Sequence, residues 1–188
     1  MGRDKRWLVI GSDTMLARAT SALRAVSDDV LISCRDARQV DAATARRLGA
    51  RLVLDGDGGA GPLSGIASAL REARHRHLVV AAVDMPYLSL GVLHLLARRA
   101  VDLDHAVVIR SSRAVEPLLA AYPRRAAELA RELLASGERS VGAFAHALDA
   151  AVIGPDEWGA IDPLGATFVN WNRPSDLTDA VGAAEVPA

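Results

Sequence analysis

The hydrophobic pattern of this 188-residue chain consists of short apolar runs that alternate with longer segments of helical periodicity. Apolar runs between turn residues predict buried strands, whereas apolar positions three or four residues apart predict helices. Strands are predicted at residues 30–33, 51–54, 78–83 and 106–109, and helices at 37–48, 63–74 and 90–100. This alternation is typical of βαβ units, so we predict an α/β fold with helices on both faces of a mostly parallel sheet.

The second half of the chain has a less regular pattern. Helices are predicted at residues 116–122, 123–135 and 140–148, and short strands at 151–153 and 167–169. A last helix is predicted to begin at Pro174, because proline suits the first turn of a helix. No repeat, low-complexity tract or linker divides the sequence, and residues 1–188 are therefore predicted to form a single domain.

Composition and charge exclude several classes of protein. Hydrophobic residues make up 51% of the chain, which is enough for a core and excludes a disordered chain. The 22 basic and 23 acidic residues argue against a general nucleic-acid binder, whose surface is strongly basic. Cys34 is the single cysteine, which excludes a disulfide scaffold, and no apolar run is long enough for a signal peptide or a membrane helix. We expect a cytoplasmic protein without a membrane or nucleic-acid partner.

A glycine-rich loop follows the strand predicted at 51–54 and leads into a helix at Pro62. Its sequence is Asp-Gly-Asp-Gly-Gly-Ala-Gly, at residues 55–61. Glycines allow backbone N–H groups to approach a phosphate closely, and the start of a helix favours anions. The loop lacks the Gly-Lys-Ser/Thr of a P-loop. A phosphate-binding loop and an ordinary surface loop both agree with this pattern.

Asp84 follows the most apolar predicted strand, directly before Met85 and Pro86. In parallel sheets ligands bind beyond the carboxyl ends of the strands. A carboxylate there can hold Mg²⁺, which in proteins usually takes one or two carboxylates together with substrate phosphates. The alternative is a structural aspartate in a turn or at the start of a helix.

Polar residues near the two ends of the chain are further candidates. Lys5 is the only lysine, and every other basic residue is an arginine. The ammonium group of lysine is a compact point charge, whereas the guanidinium group of arginine is planar with several N–H donors. The two residues are therefore not equivalent at a phosphate. Asn170 and Asn172 follow the strand predicted at 167–169. There they can form hydrogen bonds with a polar heterocycle, or they can form turns and helix caps. The histidines and Cys34 show neither zinc-site spacing nor a hydrolase motif.

Taken in order, these motifs resemble the molybdenum cofactor guanylyltransferases, a family of MobA-like nucleotidyltransferases. The similar segments are Met-Gly-Arg-Asp-Lys at 1–5, Gly-Pro-Leu-Ser-Gly-Ile at 61–66, Asp-Met-Pro at 84–86, Glu-Pro-Leu-Leu at 116–119, Gly-Glu-Arg-Ser-Val at 137–141 and Phe-Val-Asn-Trp-Asn-Arg-Pro-Ser-Asp-Leu at 168–177. The Asn-x-Asn-x-Pro segment favours this family over cytidylyltransferases and sugar-nucleotide enzymes. The resemblance implies a Rossmann-like, three-layer nucleotidyltransferase fold.

The resemblance also implies a reaction and its nucleotide site. GMP would pass from GTP to molybdopterin with release of pyrophosphate, and Mg²⁺ would be required. Lys5 is similar to the lysine that contacts the nucleotide phosphates, and Asp84 to the Mg²⁺ ligand; both would be catalytic. Asp55 is similar to an aspartate near the nucleoside. Ser33 stands where the family often has asparagine; serine is shorter and lacks the amide, which leaves the nucleobase open.

For the second substrate, the resemblance implies that Asn170 and Asn172 belong to the segment that contacts the pterin in members of the family. Molybdoenzyme maturation proteins are the further partners that it implies. Family members begin with a strand and a Leu-Ala-Gly-Gly-x-Ser-x-Arg loop before Met-Gly-x-Asp-Lys, whereas this sequence starts at that methionine. Three hypotheses follow: an active enzyme whose start was misassigned, an impaired relative that acts as a binding module, or a cytidylyltransferase or sugar-nucleotide transferase of the same fold.

Overall fold

The computed structural model describes residues 4–56 and 61–171, which alternate between strands and helices. The strands are β1 (Val9–Ile10), β2 (Asp13–Thr14), β3 (Leu31–Cys34), β4 (Arg51–Leu54), β5 (His77–Ala81), β6 (Val107–Arg110), β7 (Val115–Pro123) and β8 (Ala151–Ile153). The helices are α1 (Met15–Arg24), α2 (Ala42–Arg47), α3 (Pro62–Glu72), α4 (Leu90–Leu103), α5 (Ala127–Ala135), α6 (Val141–Ala147) and α7 (Pro155–Trp158). Short 3₁₀ turns occupy Lys5–Trp7, Arg124–Ala126 and Ala166–Phe168.

The main strands form two sheets. β3 and β4 pair in parallel, with Leu31 opposite Arg51, and β1 and β2 form a small antiparallel ladder. The larger sheet has the order β5-β7-β6-β8, in which β6 and β8 are parallel while β7 runs antiparallel to both of its neighbours. The predicted α/β class is confirmed, but the sheet is mixed rather than mostly parallel, because β7 lies between β5 and β6 in the opposite direction.

The segment at residues 116–122 was predicted to be helical and forms most of β7 instead. Its run of alanine and leucine favours a helix locally, but Ala120 to Pro123 are buried between two strands. Pro117 is tolerated because the pairing with β6 skips it, passing from Ala120 opposite Val108 to Glu116 opposite Ile109. Burial between two neighbours therefore overrides the helix propensity of this segment.

Other boundaries also differ from the prediction. The helix predicted from residue 37 begins only at Ala42, because the Asp41 carboxylate accepts a hydrogen bond from Thr44 N at 2.7 Å and caps it there. The strand predicted at 167–169 is replaced by a 3₁₀ turn, because Asp162 accepts hydrogen bonds from Ala166 N and Thr167 N. Helix α1 was not predicted; Thr14 caps it. The helix predicted at Pro174 lies outside the described residues.

Helices cover both faces of the larger sheet. On one face Tyr122 packs against Phe144 of α6, with ring centroids 5.0 Å apart, and against α3 and α5. On the other face α4 packs against β6 and β7 together with Trp158. A third cluster joins β3 to α1 and α2. This layering places the carboxyl ends of β3, β4 and β5, and the polar residues that follow them, around one opening.

None of the helices in the described ranges is long and apolar enough to cross a membrane.

Candidate functional site

Asp84 lies just beyond the carboxyl end of β5, in a loop fixed on both sides. The side chain of Met85 is buried, and Met85 N donates a hydrogen bond to Ala82 O at 3.4 Å. From the far end of the described chain, Trp171 N donates to Asp84 O at 3.0 Å. The backbone of Asp84 is therefore anchored while its carboxylate points towards the opening and remains 26% exposed.

Lys5 meets this carboxylate. It lies in the 3₁₀ turn that Asp4 caps by accepting a hydrogen bond from Arg6 N. The Lys5 Nζ donates to Asp84 Oδ2 at 3.2 Å, across 79 positions of sequence. The lysine side chain is 36% exposed, so the pair lies at the surface of the opening rather than in the core. Opposite charges at this distance hold each other in place, but the exposed position keeps the contribution to folding stability small.

A second polar pair lies at the carboxyl ends of β3 and β4. The Ser33 hydroxyl donates a hydrogen bond to Asp55 Oδ1. The parallel pairing explains their proximity, because Ser33 is opposite Val53 and Asp55 N donates to Cys34 O at 2.9 Å. The pair is solvent-accessible, and Asp55 therefore offers acceptor oxygens to a ligand.

Gly65 of α3 packs directly against this pair. A Cβ built at Gly65 would lie 2.6 Å from Ser33 Oγ and 3.2 Å from Asp55 Oδ1. Real Cβ atoms do not approach other atoms so closely, so a side chain at this position would require α3 or the Ser33–Asp55 pair to shift. The absence of a side chain at Gly65 thus allows the Ser33–Asp55 hydrogen bond to form beneath the helix.

Two serines of α3 hold the start of the glycine-rich loop. Gly56 N donates to Ser68 Oγ at 2.9 Å, and Ser64 Oγ donates to Gly56 O at 2.7 Å. At the other end of the loop Gly61 has φ of +85°, a left-handed conformation that favours glycine, and Pro62 begins the helix. Residues 57–60 lie outside the described ranges, so the prediction of a phosphate-binding loop stays a prediction.

One cavity joins the two polar pairs. Ser33, Asp55 and Asp84 all line a cleft of about 390 Å³ between β3 and β5, and Gly65 lines it as well. Lys5 joins them through Asp84. The structure therefore brings together four residues that are candidates from the sequence and that come from four separate segments of the chain.

Asn170 is exposed and precedes the buried Trp171. The Trp171 ring packs edge-on against Tyr87 at 6.0 Å, and its backbone contacts Asp84. Asn170 therefore lies next to the Asp84 loop, whereas Asn172 lies outside the described residues. The roles of both asparagines stay predictions.

Metal ligands at the site are few. Within 4–56 and 61–171 no group of three or more histidine, cysteine, aspartate or glutamate side chains is arranged to hold a metal ion. Any metal at Asp84 would need other ligands, such as substrate phosphates, which is how Mg²⁺ usually binds. Cys34 is no candidate, because burial raises the pKa of its thiol and keeps it protonated.

Three features of the site were not predicted from the sequence: the close approach at Gly65, the serine contacts of Ser64 and Ser68, and the anchoring of the Asp84 loop by Trp171. The spacing Ser-Gly-x-x-Ser in a helix that follows a glycine-rich loop is a usable signal for the first two. The contact with Trp171 spans 87 positions and leaves no local signal.

The comparison with known families decides the assignment. A family model described as a MobA-like NTP transferase domain matches residues 1–151. The chain belongs to this family. It is accordingly a nucleotidyltransferase, as the resemblance of its motifs implies.

Individual members and structures agree with the family. A protein of Chloroflexus aggregans named "probable molybdenum cofactor guanylyltransferase" is 33% identical over 183 residues, covering 94% of this chain and 85% of that protein. The crystal structure of molybdopterin-guanine dinucleotide biosynthesis protein A from Archaeoglobus fulgidus has a TM-score of 0.81 at 25% identity, covering 97% of this chain and 91% of that one. The 2-C-methyl-D-erythritol 4-phosphate cytidylyltransferase of Thermus thermophilus shares the fold, with a TM-score of 0.71 at 20% identity over 97% and 94%.

Proposed function

We propose that this MobA-like protein transfers GMP from GTP to molybdopterin and releases pyrophosphate. The observation that carries the proposal is the Lys5–Asp84 ion pair, which stands at the rim of the cleft that Ser33 and Asp55 also line. The names of the relatives supply the substrates. An oxygen of the molybdopterin phosphate would attack the α-phosphorus of GTP, and the bond between this phosphorus and the bridging oxygen of the pyrophosphate would break.

The residues of the chain would position the nucleotide and balance its charge. Nucleotidyl transfer depends mainly on positioning and electrostatic stabilisation and needs no nucleophile from the protein. Lys5 would turn from Asp84 towards the leaving pyrophosphate and offset its growing negative charge. Asp55, held by Ser33, would accept hydrogen bonds from the nucleoside. Asn170 and Asn172 would contact the pterin.

A magnesium ion fits the donor set at Asp84. The carboxylate is partly exposed, its backbone is anchored, and it pairs with a lysine side chain that is itself partly exposed. When bound, Mg²⁺ would neutralise and polarise the triphosphate. Asp84 would be its protein ligand, and the phosphates would complete its coordination.

The test of the proposal is a transfer assay with two nucleotides. Purified protein is incubated with molybdopterin, Mg²⁺ and either GTP or CTP, and both pyrophosphate and the dinucleotide product are measured. We expect product with GTP and little with CTP. Preference for CTP would instead support a cytidylyltransferase, an outcome worth testing because the fold is shared with one. Absence of nucleotide binding by a folded protein would support an inactive binding module.

We predict that Lys5→Arg lowers turnover about tenfold, although it keeps the positive charge. The arginine guanidinium is planar and spreads its charge over several N–H donors, so at a phosphate it replaces the compact ammonium group of lysine poorly. Arg38→Lys is the matched control, because Arg38 is exposed and contacts only Asp36 among the described residues. Steady-state rates of pyrophosphate release measure both variants. Equal rates for Lys5→Arg and the parent protein would remove Lys5 from the phosphate site.

A further inference from the structure

Arg18 of α1 contacts the Asp84 loop, residues 84–89, at two consecutive positions. Its Nε donates a hydrogen bond to Pro86 O at 3.1 Å, across 68 positions of sequence. The carbon at the centre of its guanidinium group lies 6.0 Å from the centroid of the Tyr87 ring, which is within the range of a cation–π contact. One side chain of α1 is therefore fixed to both the backbone and a ring of this loop.

The contacts of Arg18 differ from those of other half-buried arginines. Arg51 and Arg99 contact carboxylates, whereas Arg18 forms no ion pair with any residue in the ranges 4–56 and 61–171. The N–H donors of a guanidinium group are fixed in one plane, so a guanidinium that faces a carbonyl and a ring holds both in one geometry. The contact of Arg18 therefore restrains the position of the loop and does not balance a charge.

The Asp84 loop is held mainly by contacts from outside it. The hydrogen bond that Met85 N donates to the preceding turn is long, at 3.4 Å, and the next residue is a proline without an N–H. From the carboxyl-terminal segment, Trp171 N donates to Asp84 O at 3.0 Å. Ser89 N donates to Thr167 Oγ1 at 3.0 Å. The contact from α1 adds to these two restraints and comes from a different part of the chain.

Pro86 is buried, so its carbonyl oxygen depends on a donor from the protein. A buried carbonyl without a donor is unfavourable, and loss of the Arg18 donor would therefore favour loop positions in which this oxygen reaches water. Asp84 lies two residues away, and its carboxylate would move with the backbone. A metal site needs its ligands within about 0.5 Å of the productive geometry. The hydrogen bond at Pro86 is therefore close enough to control the position of the Asp84 carboxylate.

We propose that Arg18 is a positioning residue for the metal site at Asp84. Its Nε–H, bound to Pro86 O, holds the Asp84 carboxylate where this group can meet a divalent ion on the nucleotide phosphates. Arg18 is not among the residues that line the cleft at Asp84, so it acts through the loop and not on the substrates. The role towards the metal rests on the proposed function, whereas the restraint on the loop does not depend on it.

Two variants of the full chain isolate this hydrogen bond. Glutamine carries its side-chain nitrogen at the same number of bonds from Cα as the Nε of arginine, so Arg18→Gln keeps a donor for Pro86 O. Methionine reaches the same position with a methyl group, so Arg18→Met loses the donor. Both variants remove the positive charge. Arg24→Met is the matched control, because Arg24 is an exposed arginine in the last turn of the same helix.

The first measurement is hydrogen exchange of the protein without metal or nucleotide. The amides of Ser89 and Trp171 report on the loop, because both donate the hydrogen bonds that hold it. We expect Arg18→Met to exchange these two amides about tenfold faster, while Arg18→Gln and Arg24→Met match the parent protein and β6 is unchanged in all variants. Parent-like exchange in Arg18→Met, or equal acceleration in the methionine and glutamine variants, would overturn the proposal. If Arg18→Met does not fold, Arg18→Ala takes its place.

The second measurement is the Mg²⁺ concentration that gives half the maximal rate of pyrophosphate release at saturating GTP. Arg18→Met should need about tenfold more Mg²⁺, because a displaced carboxylate binds the ion more weakly, and Arg18→Gln should need as much as the parent protein. A purely structural role would lower the maximal rate and leave the Mg²⁺ requirement unchanged, which would refute a role in positioning the metal ligand. If the parent protein releases no pyrophosphate from GTP, the proposed function fails, and the exchange data still decide whether Arg18 holds the loop.

Discussion

Asp84→Asn should reduce Mg²⁺-dependent release of pyrophosphate about 1000-fold, while the protein stays folded. Asparagine keeps the shape of the side chain but loses the charge that holds the metal and its triphosphate. A metal acting as a Lewis acid contributes several kcal/mol to a transition state, and each 1.4 kcal/mol changes a rate about tenfold. The thermal midpoint should change little, because the lost ion pair with Lys5 is partly exposed.

Asp102→Asn is the matched control for this variant. Asp102 is an exposed aspartate in the last turn of α4 and is not among the residues that line the cavity at Asp84, so its replacement removes the same charge from another part of the surface. Its turnover should equal that of the parent protein. If Asp84→Asn keeps full Mg²⁺-dependent turnover, Asp84 is not the metal ligand, whatever the control shows.

Gly65→Ala should weaken Mg-GTP binding about tenfold without unfolding the protein. The new methyl group would lie 2.6 Å from Ser33 Oγ, so either α3 or the Ser33–Asp55 pair must shift. Misplacement of a positioning group by about 1 Å can cost up to 100-fold in rate. Alanine also favours the helix by about 1 kcal/mol, which offsets part of the strain in the folded state. Isothermal titration with Mg-GTP measures the affinity.

Gly142→Ala in α6 provides the same gain in helix propensity without the crowding. The nearest atom to a Cβ at Gly142 is Ser140 Oγ at 3.4 Å, an ordinary contact. This variant should bind Mg-GTP normally, and its thermal midpoint should rise by about 2 °C. Normal binding by both variants would show that the nucleotide does not use the Ser33–Asp55 pair.

Asp55 and Asp84 could be predicted from the sequence because each directly follows a predicted strand, whereas Ser33 was selected only through the resemblance to the family. Ser33 and Asp55 come at or just after strands of similar length, and parallel pairing places the ends of such strands side by side. Asp84 was recognised for the same reason. These are local signals, and the fold preserves them wherever the strands are parallel.

The remainder depended on contacts between distant segments. The pairing of Lys5 with Asp84 was not predicted, because it joins residues 79 positions apart and has no signal in the hydrophobic pattern; the resemblance to a family had only given the two residues separate roles. The prediction of a helix at residues 116–122 was wrong. The alanines and leucines of this segment favour a helix locally, but pairing with two strands that are distant in sequence, β5 and β6, keeps it extended as β7. Gly65 was not predicted as a site residue. Its role depends on the atoms that a side chain there would contact, and these belong to other segments of the chain.

The loop at Asp84 takes one contact from Lys5 and another from Trp171. During synthesis these partners leave the ribosome at very different times, and the second follows Asp84 by 87 positions. The Asp84 end of the cleft is therefore complete only after Trp171 has been synthesised, and a chain interrupted before Trp171 would lack this contact to the loop.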